Sequence, residues 1–404
     1  MLICGCMAGC AKSGTTSKQS SSPSPKRSTS STSTKGTSTV ADLSDDLFSF
    51  QFLTNGHIYQ LPMYYSDFTA LGWQPAKDGS NDDLPKTVPA GKALTSFYME
   101  NNGVPLRASL INLSKNELPC EKCLVGGVDI GILVSSGWQP DGPELYLPKG
   151  IQYGVSKQSD IEAAYGKPTD SFSGDLYTEL TYSADTYSEI KLFIYKDTGT
   201  LKEIDITNYV KPKGFNEGSA SDKTPADVSS YQAPTQLGDD ILSYNMTIDG
   251  KLYHTPFPVK ELIKNGWSVV KDKSPSEIAS NDSGSITIRK GNLVCEIFAN
   301  NKASYATTPE NCTISDVTLN SPSPIAGGTA LQCDWKLPGG IYSGMTQAAL
   351  EATLKKNVKY YTKETHGDPT LVDYAIYKDA AKEFYNFIVT TYNGKVANVQ
   401  IFVR

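Results

Sequence analysis

Residues 45–73 read DDLFSFQFLTNGHIYQLPMYYSDFTALGW, and residues 239–267 read DDILSYNMTIDGKLYHTPFPVKELIKNGW. At a constant offset of 194 positions (239 − 45), Asp45-Asp46 meets Asp239-Asp240 and Gly56 meets Gly250. Tyr59 then meets Tyr253, Pro62 meets Pro256, and Gly72-Trp73 meets Gly266-Trp267. In each stretch an apolar run, an Asn-Gly or Asp-Gly pair and a second run spell strand, tight turn, strand. A short helix follows, with Val259, Leu262 and Ile263 at i, i+3 and i+4 on one face. Gly266 stops it and Trp267 comes next. Trp73 and Trp267 are expected to anchor helix to sheet, a sugar- or peptide-stacking platform being the alternative.

The pairing continues along the chain. Leu147-Pro148 and Gly150-Ile151 match Leu337-Pro338 and Gly340-Ile341, and Gly166-Lys167-Pro168-Thr169 matches Gly367-Asp368-Pro369-Thr370. Tyr182, Ile204 and Ile206 match Tyr377, Val399 and Ile401. Such collinear self-similarity marks an internal repeat. Two α+β units are expected, at 41–211 and 237–404, joined by a Pro-, Gly- and Ser-rich linker at 212–236. In the first unit Ser159-Asp160-Ile161-Glu162 has the form of a capping box. In the second, Gly344-Met345-Thr346 opens a helix through Leu350 and Leu354. Hairpins follow, over Glu189–Tyr195 and Leu201–Ile206, and over Phe384–Thr390 and Val396–Val403. Few short helices among hairpin-linked strands indicate antiparallel sheets, α+β rather than α/β.

The 404 residues are 39% hydrophobic and carry a net charge of −6. That apolar share is below the usual ~45–50%, but the deficit is local. Eighteen of residues 11–40 are Ser or Thr, a composition that cannot offset its chain entropy by burial. A disordered Ser/Thr-rich tether is expected there. Lys12, Lys18, Lys26, Arg27 and Lys35, without an acid, give it +5, which leaves −11 for the rest. A basic face for nucleic acid is not indicated, so no nucleic-acid partner is expected. No run approaches the ~20 apolar residues of a spanning helix.

Met7-Ala8-Gly9-Cys10, just before the tether, resembles a bacterial lipobox, in which the cysteine receives the lipid. The resemblance implies a partial lipoprotein signal at 1–10 and a lipid anchor on Cys10. The positive n-region is missing and the apolar stretch is short. The string Gly-[Met/Val]-[Thr/Ser]…Gly-x-Pro, followed by antiparallel strands, resembles the β-lactamase-inhibitor-like fold, shared with the small lipoprotein of the outer-membrane assembly machine. It stands at Gly344-Met345-Thr346 with Gly367-Asp368-Pro369, and at Gly154-Val155-Ser156 with Gly166-Lys167-Pro168. The first copy has one extra residue before Ile161; the second has an insertion near Lys355–His366. The Gly56-x-x-Tyr59-x-x-Pro62…Gly72-Trp73 portion is similar to a module repeated in Gram-positive surface lipoproteins. These resemblances imply a cell-surface, lipid-anchored, non-catalytic scaffold that meets the membrane through its lipid and binds a protein or wall glycan. An inhibitor of an exported enzyme and an envelope hydrolase are the alternatives.

The residues offer little obvious chemistry. Histidines stand only at 57, 254 and 366. His57 aligns with Lys251 and His254 with Gln60, so neither is shared between units. No phosphate loop, nucleophile elbow or paired-histidine zinc motif is present, and no metal or cofactor is expected. Cys120-Glu121-Lys122-Cys123 is a CxxC, but it follows Leu118-Pro119 rather than opening a helix after a buried strand, as redox catalysis would need. Cys120, Cys123, Cys295, Cys312 and Cys333 are instead disulfide candidates of an exported chain, and their odd number leaves one over. Acidic loops at 78–83 and 280–283 share Ser-Asn-Asp. They read as solvated turns, a calcium loop being the alternative.

Overall fold

The computed structural model describes residues 37–131, 144–320, 330–365, 367–381 and 383–403. The paired stretches fold alike. Asp46 accepts the Phe48 amide (2.9 Å) and Asp240 the Leu242 amide (2.9 Å), each starting a one-turn helix, Leu47–Ser49 or Ile241–Ser243. Strands Gln51–Thr54 and His57–Gln60 turn at Asn55-Gly56, and Asn245–Ile248 and Lys251–His254 at Asp249-Gly250. All four turn residues have positive φ (51°, 70°, 50° and 75°), the primed-turn geometry that Asn, Asp and Gly supply. The helices Tyr65–Ala70 and Val259–Lys264 follow. Val259 and Leu262 are buried as expected, whereas Ile263, within the same helix, is exposed.

Trp73 and Trp267 are 0% and 2% exposed. Trp73 stacks on Phe68 (5.3 Å), and Tyr59 meets both rings edge-on. They are core anchors, enclosed in one of two buried clusters, each within one half of the sequence. No surface is left on them for a sugar.

The fold is mostly antiparallel sheet with few short helices, as expected. One difference between the halves bears on the site, and it lies at a single strand. In the first, Leu124–Gly131 pairs with Val104–Ile111 on one side and with Thr200–Asn208 on the other. One nine-stranded sheet results, running from Asp170–Ser173 to Gln74–Pro75. In the second half the same run is two strands, Thr313–Ile314 and Val317–Asn320, in separate sheets of five and six strands. The split falls at Ser315-Asp316, where the first half has Gly126-Gly127. A Cβ on Gly126 would stand 2.5 Å from Ile111 Cγ2 and 2.8 Å from the Tyr209 ring. Bare backbone lets both neighbours close on the strand. In the second half the Thr255 hydroxyl instead donates to the Ile314 and Ser315 carbonyls (3.2 and 2.8 Å).

Three readings of the later part need correction. Helix Gln158–Tyr165 is capped from Lys157, whose amide donates to Asp160 Oδ2 (2.9 Å), not through Ser159 and Glu162. The turn closes two residues earlier because Asp160 and Ile161 both donate to the Lys157 carbonyl. Strand Phe387–Tyr392 starts after Phe384, which is 61% exposed on the preceding turn. Tyr182 stands opposite Ile190 and Ile190 opposite Ile206, while Ile376 stands opposite Phe387 and Phe387 opposite Ile401. With Ile206 matched to Ile401, the partner of Tyr182 is Ile376, not Tyr377. Helix Gln347–Asn357 starts after Gly344-Met345-Thr346 as expected, with Thr346 Oγ1 accepting the Ala349 amide (3.3 Å).

Residues from Ser38 onward form one compact unit. The halves meet through the loops that follow their long hairpins. Glu117 donates to the Ser304 carbonyl (2.9 Å) and Ser280 to the Lys115 carbonyl (2.9 Å). Ala306 donates to Asn116 Oδ1 (2.8 Å), and Lys115 pairs with Glu277. The expected linker is strapped to both: Lys115 donates to the Glu217 carbonyl and Ser221 to the Ala306 carbonyl.

Candidate functional site

Cys10 lies outside the described residues, as does His366. The five later cysteines are free thiols, all buried, and no disulfide joins them. Cys120 and Cys123 flank the turn Cys120–Lys122, their Sγ atoms directed to different carbonyls, Pro85 (3.3 Å) and Pro119 (3.6 Å). Burial raises every one of these thiols, Cys123 and Cys312 to about 12. At neutral pH they are protonated, the opposite of a redox nucleophile. His57 is exposed, and His254 meets Asn245 Oδ1 (3.1 Å).

The acidic loops are structural turns. Asn81 pairs with both backbone groups of Tyr98 (2.9 Å each), so it acts as a strand residue against Ala93–Asn101. Asn281 reaches across to Glu117 Oε2 (3.0 Å). Among the described residues no cluster of three or more acidic, histidine or cysteine side chains has the arrangement of a metal site.

The chemistry that does converge lies on the outer face of the first half's sheet. Strand alternation puts Val128, Ile130, Ile204 and Ile206 in the core and turns Asp129, Glu203 and Asp205 the other way. Across the strands Arg107 faces Asp129, Asp129 faces Asp205, Asp205 faces Lys191, and Lys191 faces Thr181. Arg107 pairs with Asp129. Lys191 lies 3.5 Å from Glu179 and 3.6 Å from Glu189. Tyr195 donates to Glu203 Oε2 (3.2 Å). Asp129 and Glu203 are only 5% and 4% exposed. Burial first, and the Asp129 charge second, push Glu203 and Asp205 up to about 7. Burial likewise raises Asp129 against the pull of Arg107.

Beside this row lies an aromatic strip. Tyr177 meets Phe193 (5.2 Å), Tyr195 (5.7 Å) and Phe172 (6.5 Å). Its rim is open to solvent, Phe172 being 58% and Leu176 70% exposed, with Asp170 and Asp175 exposed around it.

The second half lacks the charged row. It repeats the bulge: Phe193 and Ile194 face Glu203 and Leu201, as Thr390 and Thr391 face Asn398 and Val396. At matched positions Asp129, Lys191, Glu203 and Asp205 become Thr318, Ile388, Asn398 and Gln400. That half has a groove of about 450 Å³ instead, between its helix and sheet, lined by Glu351, Lys355, Tyr361, Lys363 and Tyr374. Lys363 (2.8 Å) and Tyr374 (2.6 Å) donate to Glu351 and hold its carboxyl down to about 2.

Sequence reasoning missed the carboxyl row. Its one visible trace is the alternation of Glu203 and Asp205 with the apolar Ile204 and Ile206. That Asp129 lies opposite depends on register between distant strands. No known protein family and no curated protein matches the chain.

Proposed function

We propose that this is a lipid-tethered cell-surface protein, a tandem of two homologous α+β units that binds a protein or wall-polymer partner without catalysing a reaction. Composition supports reading the expected tether as a leash, although it ends before 40, at Ser38, whose amide bonds the Gly56 carbonyl, and the lipobox-like string supports Cys10 as the anchor. The observation that carries the binding role is the aromatic strip with its open rim. Phe172, Leu176 and Tyr177 offer apolar contact, bordered by Asp170, Asp175 and Glu179. Rings ringed by carboxylates suit a protein surface with basic side chains at its edge.

The carboxyl trio favours the hydrolase alternative only in part. A general acid must reach its substrate, and Asp129 and Glu203 are sealed from solvent. If the captured partner is an exported enzyme that loses activity on binding, the scaffold is an inhibitor.

Two measurements test the proposal. The full chain is expected to bind saturably to isolated envelope proteins or wall glycan. A Phe172→Ala, Leu176→Ser double variant should bind at least about tenfold more weakly, the scale of a lost interface anchor. Undiminished binding would remove this face from the account. In the cell of origin, incorporation of labelled palmitate should disappear in Cys10→Ala, and labelling that persists would refute the anchor.

A further inference from the structure

We propose that Asp129, Asp205 and Glu203 form a proton-operated lock on the first half's sheet. With protons held among them, strands Leu124–Gly131 and Thr200–Asn208 stay paired. Without protons, like charges face each other across the ladder.

The geometry sets up the conflict. Asp129 and Asp205 are directly opposed, on the same face of neighbouring strands. Like charges in that relation repel and weaken the pair. Glu203 is two residues along the same strand and feels the Asp129 charge. The available cations are too few. Arg107, from the next strand, is taken by Asp129. Lys191, from the strand on the other side, is divided among Glu179, Glu189 and Asp205. Five carboxyls therefore share two cations. The remaining titratable neighbours add no positive charge: Tyr195 and Tyr153 lie near Glu203, and Tyr209 near Asp205. A carboxyl so placed keeps its proton until the surroundings are nearly neutral.

The fold itself does not require these groups. The second half builds the same bulge and the same strand pairing with Thr318, Gln400 and Asn398 in their places. The acid row is a departure of the first half alone.

The sign of the linkage follows from the direction of the shifts. In the unfolded chain these carboxyls titrate near ~4; in the folded chain Glu203 and Asp205 do so at about 7. Their stabilisation is complete below the unfolded value and is lost as pH rises through the folded one. The window spans mildly acidic to neutral pH.

The test needs no partner, so it stands or falls apart from the docking proposal. Denaturant unfolding of the full chain is measured at pH 5 and pH 8. The wild-type midpoint should fall at the higher pH. In Asp205→Gln, which installs the residue found at 400, the fall should be at most about half as large. Equal falls in the two proteins would overturn the lock. Should the variant not fold, proton counting on the wild type decides. Unfolding at pH 6 should release on the order of one to two protons, and no release refutes the inference.

Discussion

Gly126 shows how much one missing atom can determine. It has an ordinary strand conformation, so its need for glycine is steric. An added Cβ would meet Ile111 at 2.5 Å and the Tyr209 ring at 2.8 Å. Gly126→Ala is expected to cost about 1–3 kcal/mol, the usual range for overpacking, read as a lower denaturant midpoint with the slope unchanged. A loss within about 0.5 kcal/mol would mean that the neighbours give way freely. The Gly-Gly pair is plain in the sequence, but as punctuation it suggests a break. It is the opposite here, since the strand is continuous with glycines and divided at Ser315-Asp316. Single residues that act locally were easier to read. Asn55-Gly56 and Asp249-Gly250 act within their own hairpins, so their roles follow from spacing.

At the scale of elements, the order of strands and helices was legible and their ends were not. Hairpins announce themselves through turn residues between apolar runs, and these appeared where expected. The helix at 158–165 starts from Lys157 because Asp160 reaches back to that amide; a Ser-x-x-Glu pattern two positions along looked equally good. Phe384 read as strand because it is aromatic, yet pairing begins at Phe387. The carboxyl row belongs to this scale. It exists only because Leu124–Gly131 and Thr200–Asn208 pair in the register that sets Asp129 against Asp205. A shift of one residue would send one partner into the core. Alternation shows which residues share a face, but not which residues meet across two strands. The candidate site was therefore out of sight, while the buried Trp73 and Trp267 were anticipated.

For the whole molecule, hydrogen bonds between loop backbones and a few side chains join the halves. Asn116 is central to them: its Oδ1 takes the Ala306 amide, and its carbonyl takes Asn112 and Ser114 from within its own loop. Asn116→Ala leaves the Ala306 amide without that acceptor, an expected cost of about 1–3 kcal/mol. Scanning calorimetry should show a lower transition that broadens or divides as the halves uncouple. A sharp, unmoved transition would mean that the linker strap holds them alone. The unbroken nine-stranded ladder has a mechanical consequence. Tension from an N-terminal attachment would enter at Ser38, whose amide bonds the Gly56 carbonyl (2.9 Å), and so reach the first half before the second. Leu124–Gly131, paired on both sides, spreads shear over the whole sheet. Beyond the strap, the matching run of the second half is divided at Ser315-Asp316 between sheets of five and six strands, so shear cannot pass along one continuous strand there.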